Sequence, residues 1–64
     1  MIAMLYDEAG AIRQTVVGQQ DLIEATASVM GLKWLAYDGP YDPGAIDAFD
    51  ASHRVVNGQF AAIG

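Results

Sequence analysis

Four aspartates, Asp38, Asp42, Asp47 and Asp50, fall within a stretch that holds no lysine or arginine. Carboxylate oxygens in numbers are what Ca²⁺ or Mg²⁺ takes as ligands, so this stretch is the chain's candidate for a divalent metal. It lacks the Asp-x-Asp-x-Asp-Gly frame and the closing glutamate of a calcium loop. Aspartates set among Gly39, Pro40, Pro43 and Gly44 also serve turns and caps, by accepting backbone hydrogen bonds, and that reading is preferred. The sole histidine, His53, adjoins Ser52 and lies close to Asp50. A seryl nucleophile is recognised by the spatial placing of its base and its orienting acid, and no elbow motif surrounds Ser52. His53 therefore reads as a packing or turn residue at a strand entrance. No catalytic residue, metal or cofactor is assigned, and the chain is read as non-enzymatic.

Aromatic side chains carry the remaining recognition chemistry, because they bury much area with few rotatable bonds. Trp34 is expected in the core. Tyr37, Tyr41, Phe49 and Phe60 are the candidate partner-contact residues.

The elements that would position these groups follow from periodicity. Ile2, Met4 and Tyr6 alternate with Ala3 and Leu5, which suits a strand, and Asp7-Glu8-Ala9-Gly10 supplies a turn. Ile12, Thr15, Val16 and Val17 then favour a second strand, giving a hairpin over 2–17. From Gln19 the period changes. Leu22, Ile23, Thr26, Val29 and Met30 make one apolar stripe at helical spacing, with Gly31 placed to end it, so a helix is expected over 20–30.

A strand follows over 32–37. The breakers from Asp38 to Gly44 then indicate loop. Ile46 and Phe49 suit either one helical turn or an irregular segment, and 38–51 as a whole is assigned to loop. Asn57-Gly58 between apolar runs predicts a type I′ hairpin over 53–63. Tyr6-Asp7 to Ile12 faintly echoes Tyr41-Asp42 to Ile46, and shared turn chemistry accounts for it better than duplication. The expected fold is α+β in a single domain, 1–64. One helix packs on a small, mainly antiparallel sheet of four to five short strands.

Composition limits what such a domain does. Of 64 residues, 7 are glycine and none is cysteine, so neither disulfide nor thiolate metal site is open to it. A small core without staples favours oligomerisation or docking on a larger partner. A net charge of −5, with the bases Arg13, Lys33 and Arg54 far apart in sequence, opposes binding to nucleic acid. Met1 to Leu5 is apolar but too short for a signal peptide or a membrane span, so no membrane partner is expected. Short strands leave edges, and an exposed edge invites pairing with another chain.

From Trp34 onward, Asp38-Gly39, Asp42-Pro43 and His53-Arg54-Val55-Val56-Asn57-Gly58-Gln59 follow one another in a recognisable order. That order resembles small virion-associated proteins of tailed bacteriophages, and Tyr6-Asp7 leading into a glycine turn is similar too. The segment from Asp-Pro to His is longer here than in that pattern. The resemblance implies a structural or accessory subunit of the virion, made in the host cytoplasm. It implies a larger capsid, tail or fibre protein as partner, or self-assembly in multiple copies, through strand edges and exposed aromatics. Two other readings stay open from the residues: a free acidic regulatory or inhibitor module acting on a cellular enzyme, and a small divalent-metal-binding protein.

Overall fold

The computed structural model describes residues 1–63, so Gly64, the last residue of the expected domain, lies outside the described residues. The chain runs β1 (Ile2–Tyr6), β2 (Ile12–Val17), α1 (Gln20–Met30), β3 (Lys33–Tyr37), α2 (Pro43–Ser52), β4 (His53–Val56) and β5 (Gln59–Ala62). It is a small α+β fold with two antiparallel sheets: a three-stranded one in the order β2-β1-β3, and the β4–β5 hairpin.

β1 is the middle strand, pairing Ile2 with Val17 on one side and with Tyr37 on the other. The period-2 pattern expected of it is overtaken by burial on both faces: Ile2, Ala3, Met4 and Leu5 are all buried. Strands covered on both sides read as continuous apolar runs. On one face, Ala3 and Leu5 meet Ile23 and Ala27 of α1, with Val16, Leu32 and Trp34 around them. On the other, Ile2, Met4 and Tyr37 meet Ile12, Ile46 and Phe49 of α2, and Phe60 of β5.

Two expectations are corrected here. The loop assigned to 38–51 contains a second helix, α2, so the sheet carries a helix on each face. Asp42 and Pro43 belong to the run of breakers, yet they start this helix. The Asp42 carboxylate accepts from the Ala45 N–H at 3.2 Å, and Pro43 occupies the first turn, where its missing N–H costs nothing. Ala45, Ala48 and Ala51 then sustain it. Second, the expected single sheet is two, because β4 and β5 pair with each other and not with β1–β3. The echo between Tyr6–Ile12 and Tyr41–Ile46 dissolves as well, one segment being a hairpin turn and the other a helix start.

The remaining elements follow their local chemistry. Asn57 at φ 53° and Gly58 at φ 77° give β4–β5 the twisted turn that Asn-Gly favours. α1 spans the expected 20–30 and ends on Gly31 in the left-handed region, whose N–H reaches the Ala27 and Ser28 carbonyls. In the first hairpin, Asp7 Oδ1 accepts from the N–H groups of Ala9 and Ala11 at 3.0 Å each. The other oxygen of the same carboxylate, Asp7 Oδ2, lies 3.6 Å from Arg13 Nε in an ion pair exposed enough to contribute little.

Gly10 joins the two sheets. Its carbonyl accepts from the Val55 N–H at 2.9 Å, its φ is 87°, and a Cβ there would fall on the Val55 carbonyl oxygen. Gly10→Ala is expected to cost about 2 kcal/mol or more, since left-handed strain adds to a backbone clash. Gly31→Ala, with open space around its Cβ, should cost about 1 kcal/mol from strain alone. Urea unfolding of both variants checks the ranking, and equal losses would mean that Gly10 does not hold the sheets together.

Candidate functional site

The α2 face of the sheet carries the chain's aromatic chemistry. Phe49 is its hub: Tyr37 meets it edge-on at 5.0 Å between centroids and 65° between planes, and Phe60 at 4.9 Å and 88°. His53 stacks on Phe49 at 3.8 Å and 7°. Edge-to-face and offset contacts of this kind suit the quadrupoles of the rings. Helical spacing produces the last pair, since Phe49 and His53 are four residues apart and lie on one side of α2 where it runs into β4. The four rings border an open cleft of about 470 Å³, completed by Ala36, Asp38, Gly39, Pro40 and Ala62.

Of the four candidate contact residues, three are thus brought together: Tyr37, Phe49 and Phe60. They are not free surface anchors. Tyr37 is only 7% exposed, clustered with Ile2 and Met4 against Phe49, and Phe49 and Phe60 are half-buried. The expectation of exposed aromatics fails for Tyr37 because β3 turns it onto the face that α2 covers. Tyr41, before the start of α2, is 71% exposed and stands apart from the cluster. Trp34 takes its expected place against the core, on the α1 side.

Ser52 and His53 do lie together, with Ser52 Oγ 2.8 Å from His53 Nδ1. The direction of the hydrogen bonds decides what the pair does. Carbonyl oxygens only accept, so the Ser52 hydroxyl donates to the Ala48 carbonyl at 2.7 Å. His53 Nδ1 likewise bonds the Phe49 carbonyl at 3.0 Å only if that nitrogen carries its proton. In that tautomer Nδ1 is a donor and not a base toward Ser52. The pair instead closes the last turn of α2, where backbone carbonyls lack helical partners.

The aspartates of 38–50 do not converge. Asp42 caps α2, and among the described residues no group of three or more His, Cys, Asp or Glu side chains is placed to hold a metal ion. No described helix is long and apolar enough to cross a membrane.

A second surface lies on the opposite face. The apolar stripe foreseen on α1 is only partly used, because Ile23 and Ala27 are its buried residues. Leu22 stays 54% exposed, Val29 88% and Met30 45%. At 100° per residue, the apolar positions from Leu22 to Met30 spread over about 160° of the helix, more than three short strands cover. That excess width was the available signal in the sequence. Comparison with known proteins finds no matching family model, no matching curated protein and no matching solved structure.

Phe49→Ala should cost about 2–4 kcal/mol, as it removes the hub that Tyr37, His53 and Phe60 share. Ser52→Ala should cost under about 1 kcal/mol, because only a helix-end hydrogen bond is lost. Thermal unfolding of the two variants measures both, and a Ser52→Ala loss as large as that of Phe49→Ala would contradict the assignment.

Proposed function

We propose that the chain is a non-enzymatic subunit of a tailed-bacteriophage virion, seated in multiple copies on a larger virion protein. The observation that carries the docking role is the outer stripe of α1. Leu22 and Val29 lie two turns apart on one line of the helix, both more exposed than covered, with Met30 beside them. An amphipathic helix laid into an apolar groove of a partner uses this spacing. For a domain this small, covering that stripe adds the apolar burial that its own core lacks.

The virion as its home rests on the resemblance in the order Asp38-Gly39, Asp42-Pro43 and His53 to Gln59. A larger protein suits the stripe better than a second copy does, since each copy brings a net charge of −5. The free edges of β2 and β3 extend the contact by strand pairing. Of the candidate aromatics, Tyr41 is the one exposed enough to act as a contact anchor.

Mass spectrometry of purified particles should find the chain, and its absence would remove the virion role. The double variant Leu22→Asp, Val29→Asp should fold as the wild type does by circular dichroism, because neither residue is buried, yet be lost from particles. Incorporation at the wild-type copy number would overturn the stripe as the docking face. Sedimentation showing self-association that this variant abolishes would assign the stripe to a second copy of the chain.

A further inference from the structure

The cleft on the α2 face has a chemistry of its own, independent of the α1 stripe on the other side of the sheet. Its walls are rings: Tyr37 and Phe60 stand steeply to Phe49, and His53 is stacked on it. Its volume, about 470 Å³, is that of a small-molecule site. Between the rings the lining is Ala36, Pro40 and Ala62, and the one carboxylate is Asp38 at the exposed rim. Neither lysine nor arginine contributes to it.

From this arrangement we infer that the cleft binds a small organic cation of the quaternary ammonium class. Aromatic faces attract a cation through their quadrupoles, most strongly when it is partly desolvated. Asp38 supplies the opposite charge, and the chain's net charge of −5 favours a cation at long range. The number of hydrogen-bond acceptors selects among cations. A primary ammonium carries three N–H donors, and burying them without partners is costly. The polar side-chain groups of the cleft are the Asp38 carboxylate at its rim, the Tyr37 hydroxyl and the His53 imidazole, and the rest of its walls are apolar or aromatic. A trimethylammonium group has no donors to satisfy and presents methyl groups to the rings. Its charge is spread over those methyls, so one carboxylate at the edge is enough.

The site is incomplete without the fold. Tyr37 comes from β3, Phe49 from α2, His53 from β4 and Phe60 from β5. Gly39 matters as well, because a Cβ there would fall on the Tyr37 ring and displace one wall.

The experiment uses the full chain and two probes of nearly equal shape: choline, and its neutral isostere 3,3-dimethyl-1-butanol. Titration followed by NMR should show saturable binding of choline, with its methyl protons shifted upfield by the rings and the ring protons of Tyr37, Phe49 and Phe60 perturbed. The isostere should bind about tenfold more weakly, which is the cation–π contribution expressed as an affinity ratio. Asp38→Asn, an exposed change that leaves the core intact, should weaken choline a few-fold and leave the isostere unaffected. Phe60→Leu, which keeps apolar volume but removes one ring, should weaken choline about tenfold while sparing the isostere more. If Phe60→Leu fails to fold, the isostere and Asp38→Asn still decide the matter. Equal binding of choline and its isostere would show a merely apolar cleft and overturn the inference. Absence of saturable choline binding would overturn it outright.

Discussion

The burial of β1 on both faces is the constraint on which the molecule depends. Four successive side chains, Ile2, Ala3, Met4 and Leu5, leave water together, although only two can point the same way. One covering layer would strand half of them in solvent. The chain therefore supplies α1 for Ala3 and Leu5, and α2 with the β4–β5 hairpin for Ile2 and Met4. Everything after β2 is arranged as cover for this one strand. The α1 side packs Ala3, Leu5, Ile23 and Ala27 with Trp34 beside them, while the α2 side packs Ile2, Met4 and Tyr37 against Phe49 and Phe60.

The aromatics of the α2 side sit where the hairpin meets the sheet. β4 and β5 form no ladder with β1–β3, so the hairpin is held by the Gly10–Val55 hydrogen bond and by side chains. Phe49 bridges the space, touching Tyr37 from the sheet, Phe60 from the hairpin and His53 at its own helix end. The cleft is bordered by these rings. The Asp42 cap belongs to the same construction: it fixes where α2 begins, and so the register that presents Ile46 and Phe49 inward.

Local chemistry made much of this legible in the sequence. Asn57-Gly58, Gly31 and the Asp7–Gly10 turn each did what their backbone preferences require, which is why strand and helix bounds fell close to expectation. Residues whose meaning depends on context misled. Pro43 after Asp42 signals a helix start as readily as a loop, and only the continuing Ala45–Ala51 segment, weak in apolar period, distinguishes them. Tyr37 was legible as an aromatic at a strand end but not as a buried one, because burial depended on the unseen α2. The cleft joins residues from four elements, and no local spacing encodes it.

The two faces also differ in what the fold requires of them. Replacing Ile23 or Met4 would open the core, since both are fully buried. Val29 touches little: at 88% exposure it contributes almost nothing to packing, and a lysine or glutamate there would extend α1 equally well. The same holds for the outer half of Leu22. Rotating α1 to bury these two would expose Ile23 and press larger side chains against Ala3, so the fold cannot use both halves of the stripe. A chain with few large apolar residues nevertheless places some of them outward on α1. That allocation adds little to the packing of the fold, and it is the feature on which the proposed docking rests.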